Sequence, residues 1–266
     1  VKYENKCFYG NLIQFSMFVG LFIMNLMINY LSWKAVILIF FAMSLIFSGL
    51  IWLVPEMRIK PKRITNEYIT KDIRSIIIMI FAMFFQQLSG IGILLEELDV
   101  ILNGIGLDIG PNFQACLFDF VGALSVINSA FISDIVPTKY IWCISAFGLC
   151  IGLTIYAVSL KMNLANWISS LGVFVYFLFY GLGEGPIPWY LCCTLFQENV
   201  RIESCGINLC CNLFLMTALD FVWKKLKEKF EQFGSILFAS ITCFIAIFFG
   251  IFCIAIDSIE EDDNIN

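Results

Sequence analysis

Runs of roughly 20 apolar residues, each bounded by charged residues or by Pro and Gly, recur along the whole chain, and no other feature constrains its fold as tightly. A helix rising 1.5 Å per residue needs about 20 residues to cross a hydrocarbon core about 30 Å thick. Eight such runs are present, at 8–31, 33–54, 75–95, 111–132, 140–160, 167–188, 205–223 and 235–256. With 60% of its 266 residues hydrophobic and only 14% charged, the chain is too apolar for a soluble domain. The pattern predicts an all-α membrane protein of about eight transmembrane helices in a lipid bilayer, and an even number returns both ends to one side.

Histidine is absent, which removes Ser-His-Asp and Cys-His nucleophile pairs, His-ligated metals and haem; the chain reads as no enzyme, with no cofactor and no metal. The 11 cysteines show no Cys-x-x-Cys spacing, and most fall inside apolar runs, where a free thiol packs as a small hydrophobe. The net charge of -5 is concentrated in the tail 257–266, DSIEEDDNIN, a solvated segment. Lys and Arg are dense only in short segments, which leaves nucleic acid out as a partner. The first residue is Val1, and no cleavable signal precedes the first run. The chain is therefore expected to be incomplete.

Orientation follows from the basic loop between the second and third runs, which carries Arg58, Lys60, Lys62, Arg63, Lys71 and Arg74. The positive-inside rule makes that loop cytoplasmic, and both termini with it. Lys2, Lys6, Lys139 and Arg201 then also lie inside, while Lys34, Lys161 and the lysines of KKLKEKFEQ (224–232) lie outside, a split of ten to six. That last lysine group opposes the assignment, and Glu228 and Glu231 among them carry little weight in the rule.

The segment FFQQLSGIGILLEELDV (84–100) places Gln86 and Gln87 in an otherwise apolar run, then Glu96, Glu97 and Asp99. A helix entering the bilayer near Ser75 carries the amides about 17 Å in, to mid-membrane, and Glu96 about 32 Å along, to the far interface. Buried amides cost several kcal/mol unless partnered. Two readings fit them: they line a wet cavity, or they hold neighbouring helices together.

QQLSGI (86–91), followed by GPIPWY (185–190), resembles the sugar porter family of the major facilitator superfamily, which includes the facilitative glucose and insect trehalose transporters. The resemblance puts the Gln-Gln pair on the family's seventh helix and the break at Gly185, Pro186 and Pro188 in its tenth. Pro at these positions removes backbone donors and unwinds the helix, which a membrane accepts only beside a cavity or packed protein. Trp189 then offers a flat face to a sugar ring. NLIQFSMFVG (11–20) resembles the fifth helix, with Gln14 as a sugar contact and Lys6 in place of an opening arginine. YLSWKAVILIFF (30–41) resembles the start of the sixth, and LVPEMR (53–58) its closing motif, keeping Pro55 and Glu56 but replacing the rest with Met57 and Arg58. INLCCN (207–212) puts Asn208 and Asn212 where the eleventh helix lines the cavity.

What the resemblance implies is a partial major facilitator fold. Residues 1–54 become the last two helices of the N-terminal bundle, 55–74 a shortened cytoplasmic loop, 75–256 the complete C-terminal six-helix bundle and 257–266 a cytoplasmic tail. The plasma membrane is the implied location. The implied ligands for a sugar are Gln14, Gln86, Gln87, Trp189, Asn208 and Asn212, since an uncharged amide both donates to and accepts from hydroxyls. For Gln86 and Gln87 binding and helix bridging both remain open.

The chain departs from the family at several points. Gly92 stands where an asparagine is usual, and Glu96 and Glu97 where a gating aromatic pair is usual, a gate costly to close over carboxylates. The cytoplasmic charge signature is reduced to Asp134 and Lys139, so that Lys6, Glu56, Arg58, Asp134, Lys139 and Arg201 form a remnant latch. Thr194 replaces a glutamate. Two functions follow: alternating-access transport of a hexose or trehalose, or a degenerate, non-transporting membrane paralogue that partners intact transporter subunits.

Overall fold

The computed structural model describes residues 6–53, 66–96, 98, 102, 110–133, 135–196 and 201–254. Every regular element among them is helical: α1 (Lys6–Ile28), α2 (Trp33–Leu50) with a 3-10 turn (Ile51–Leu53), α3 (Asn66–Leu88), α4 (Ile91–Glu96), α5 (Pro111–Ile132), α6 (Thr138–Met162), α7 (Asn166–Leu182), α8 (Ile187–Leu195) and α9 (Arg201–Phe249), which runs on as a π-helical turn (Gly250–Ile254). Six described helical stretches are long and apolar enough to cross a membrane, and Ile73–Leu88 is a shorter apolar one. This is an all-helical, multi-pass arrangement.

Local chemistry sets several boundaries where the hydropathy pattern places them. Ser32 caps α2 by accepting from the Ala35 N–H at 3.4 Å. Pro111 opens α5, where its missing N–H removes no helical bond. Asn163 ends α6 in the left-handed region, φ 48° and ψ 46°, a conformation short amide side chains tolerate.

Two of the eight expected spans are split. The run 75–95 is not one helix: α3 begins at Asn66, stops at Leu88, and α4 restarts at Ile91 after a turn at Ser89 and Gly90. Gly90 has φ +88°, open to a residue without Cβ. The run 167–188 is split between α7 and α8 by residues 183–186. There the Gly185 N–H reaches back to the Tyr180 carbonyl at 2.9 Å, and a Cβ on Gly185 would stand 2.8 Å from that oxygen. Pro186 caps α8 and Pro188 lies in its first turn, the place where proline is tolerated. The runs 205–223 and 235–256 fall on the two helical halves of α9, which meet at a kink at Glu231 (φ 59°, ψ -178°), and the charged segment extends the first half up to that kink. Lys, Glu and Leu are strong helix formers, so this segment does not unwind into a loop.

The described core gathers α1, α3, α4, α5, α6, α7 and α9 around Phe18, Leu94, Val126, Leu153, Tyr176 and Trp223. The α6–α7 pairing is the most extensive, because Gly152 and Gly172 let the backbones meet: a Cβ on Gly152 would lie 2.8 Å from the Gly172 carbonyl. Trp142 ties α6 to α9, its Nε1–H donating to the Ala246 carbonyl at 2.8 Å. α2 stands at the edge with Val36 as its buried residue.

Candidate substrate-binding site

Because α3 ends at Leu88, Gln86 and Gln87 occupy its last turn, beside the interruption between α7 and α8. Gln86, 1% exposed, donates from Nε2 to the Gly185 carbonyl at 2.5 Å. Its Oε1 accepts from Asn212 Nδ2 at 3.2 Å, and that nitrogen also lies 3.3 Å from Met83 Sδ. One buried amide thus ties α3, the helix break and α9 together. Asn208, one turn before Asn212 on the same face of α9, donates from Nδ2 to the Pro188 carbonyl at 3.1 Å. Below the pair, Ser89 Oγ donates to the Gln86 carbonyl at 2.7 Å and sits 3.0 Å from the Tyr176 hydroxyl, whose ring stacks on Tyr180 with centroids 5.7 Å apart.

Other polar atoms around these elements carry no such bond. Asn208 Oδ1, Trp189 Nε1 and Gln14 Oε1 are buried without a hydrogen-bond partner. Gln87 makes no side-chain hydrogen bond among the described residues. Gln14 lies on α1, one turn from Gly10, which packs directly on Tyr190 of α8. The structure therefore joins Gln86, Gly185 and Asn212, and separately Asn208 and Pro188; it shows no direct bond from Gln14, Gln87 or Trp189 to that cluster. Amides, carbonyls and an indole N–H supply donors and acceptors without formal charge, the chemistry that suits a neutral polyhydroxylated solute. Among the described residues no group of His, Cys, Asp and Glu could hold a metal ion.

Of the gating and latch residues, Gly185 and Pro186 form the break and Pro188 the first turn of α8. Glu96 closes α4, and Lys6 and Arg201 open α1 and α9; their side chains lie outside the described set. Glu56, Arg58, Glu97 and Asp134 lie outside the described residues. Lys139, half-buried near the start of α6, holds its Nζ 5.1 Å from the Tyr140 ring, a cation–π contact.

Two acids escaped the motif-based reading. Glu184, inside the break, is 0% exposed with both carboxyl oxygens unpartnered, while its N–H donates to Ser145 Oγ at 2.8 Å. Asp119, mid-way along α5, is 0% exposed too and accepts from Asn25 Nδ2 of α1 at 2.8 Å. The available signal was a lone carboxylate inside an apolar run, which in a membrane marks a functional position by default.

Comparison with known proteins decides the family. Residues 56–257, well over half of the chain, match the profile "Sugar (and other) transporter". The chain belongs to this sugar transporter family. A facilitated trehalose transporter of Apis mellifera ligustica is 24% identical over 76% of this chain and 42% of its own length. The solute carrier family 2 facilitated glucose transporter member 3 of Mus musculus is 21% identical over 66% of this chain and 36% of its own. This sugar transporter chain thus spans about two fifths of the length of these relatives. A D-xylose-proton symporter structure superposes with a TM-score of 0.69 at 15% identity, covering 89% of this chain and 61% of that one, which shows a partial major facilitator fold. The sugar transporter family is one of integral membrane transporters, not enzymes.

Proposed function

We propose that this chain is part of a carrier that moves a hexose or trehalose across a membrane by alternating access. The observation that supports the reading is the amide cluster at the helix break, where Gln86 bonds to Gly185 and Asn212 beside polar atoms of Asn208, Trp189 and Gln14 left without partners. In this reading Gln87, Gln14 and Asn208 meet the sugar hydroxyls and Trp189 offers its ring, while Gln86 and Asn212 position the broken helix. Eight passes follow if the long stretch ending at Ile254 crosses twice, reversing at Glu231. The 1–54, 55–74, 75–256 and 257–266 division, cytoplasmic termini and a plasma-membrane location belong to the same proposal, as does a midplane site between two rocking bundles.

The test is uptake of labelled glucose and trehalose by the full-length product in proteoliposomes. Gln87→Ala is expected to cut kcat/KM by about tenfold or more, the loss of one or two hydroxyl contacts. Unchanged uptake in that variant removes Gln87 from the site. A second reading has its own support: Gln86 and Asn212 bond to each other rather than stand open, as in a static scaffold that associates with intact transporters. Absence of uptake from a folded full-length protein favours it.

A further inference from the structure

α1 is held at its two ends by different partners. Toward its N-terminus Gly10 meets α8, where a Cβ on Gly10 would stand 2.2 Å from Tyr190 Cβ. Toward its C-terminus it lies antiparallel along α5: Phe18 fills the space above Gly122, Phe22 and Phe120 lie 6.4 Å apart between ring centroids, and Tyr30 and Phe113 lie 6.5 Å apart. This second seam is an aromatic and small-residue zipper that a polar side-chain pair also crosses, through the 2.8 Å bond from Asn25 Nδ2 to Asp119 Oδ2. Asp119 Oδ1 is buried and has no hydrogen-bond partner. Among the described titratable groups, Cys116, one turn back on α5, is the neighbour within electrostatic reach, and its Sγ faces the Phe22 carbonyl of α1 at 3.7 Å.

A purely apolar seam would gain most by staying closed. A carboxyl group with one satisfied and one unsatisfied oxygen changes that balance, because the second oxygen is solvated only when the helices part. Interfaces that switch need two arrangements of comparable free energy. We propose that Asn25 and Asp119 form a gate pair: Asn25 holds the α1–α5 seam shut, and Asp119 lowers the cost of opening it, so that the seam alternates with the Gly10–Tyr190 contact at the other end of α1. The inference rests on the alternating-access reading above, in which α1 and α5 lie in different moving halves.

Losing one partner and losing both then act in opposite directions. Removing Asn25 leaves a buried carboxyl wholly unpartnered and favours the open seam; replacing both Asn25 and Asp119 by leucine completes the zipper without stranding either group and favours the closed one. Hydrogen–deuterium exchange of the full-length protein in nanodiscs reads this without any substrate. Asn25→Leu is expected to raise exchange of peptides covering 18–30 and 112–125 by about fivefold or more, and the double variant Asn25→Leu with Asp119→Leu to lower it by a similar factor, the range of ordinary coupling energies. Peptides from the α6–α7 pairing around Gly152 and Gly172 should be unchanged, which reports that the fold is intact. If both variants shift exchange in the same direction, or if the α6–α7 peptides follow the seam, the pair is structural and the proposal falls. Failure of wild-type sugar uptake overturns the transport reading but leaves this result to stand or fall by itself.

Discussion

The side-chain amide of Gln86 is committed at both ends to protein groups, Gly185 and Asn212, whereas its neighbour Gln87 has no side-chain hydrogen bond among the described residues. Adjacent in sequence, the two therefore answer differently to the same substitution. Gln86→Ala strands a buried carbonyl and a buried amide, which costs about 1–3 kcal/mol, and thermal unfolding of the full-length protein in nanodiscs should show a lowered midpoint. Gln87→Ala should lower that midpoint less than Gln86→Ala, since it strands no hydrogen-bonded partner among the described residues, while lowering uptake. Equal destabilisation by both contradicts the division of roles. That polar residues sit here was legible in the run 84–100; which amide is tied was not, because the partners lie 99 and 126 residues away.

At the scale of elements, hydropathy located the helices and misplaced their interruptions. The run 111–132 coincides with α5, since Pro111 is a boundary that sequence displays directly. The turn at Ser89 and Gly90 was hidden inside an apolar run, because a glycine interrupts a helix only where the surroundings hold it at positive φ. At 224–230 the charged residues lie between two apolar runs, yet the helix continues through them, because Lys, Glu and Leu favour helix. The kink there falls on Glu231, whose φ of 59° and ψ of -178° lie in a region nearly reserved for glycine. Glu231→Gly is expected to stabilise the protein by about 1 kcal/mol, seen as a raised unfolding midpoint; a lowered midpoint would mean that the kink is not strained.

Across the whole molecule, the sign of the topology turns on lysines that sit at opposite ends of the bundle. In the proposed orientation Lys224, Lys225, Lys227 and Lys229 face outward with Lys161, and Lys139 faces the cytoplasm. A membrane-impermeant amine reagent applied to intact cells expressing the full-length protein should modify the first group, and Lys139 only after permeabilisation. The converse pattern inverts the topology and returns the lysine cluster to the side the positive-inside rule prefers.

Apolar run length by itself determined that this chain is a helical membrane protein, since hydrocarbon leaves an isolated segment no other way to satisfy its backbone. Absent histidine argued against enzyme chemistry, and the Gln-Gln and Gly-Pro-x-Pro-Trp segments pointed to sugar transporters. Tertiary structure alone decided that Gln86 bridges three elements, that Glu184 is enclosed within the helix break, and that Asp119 meets Asn25 across a seam. Side-chain pairing in a bundle depends on how helices rotate and cross, and residues nearly a hundred positions apart carry no local signal of it.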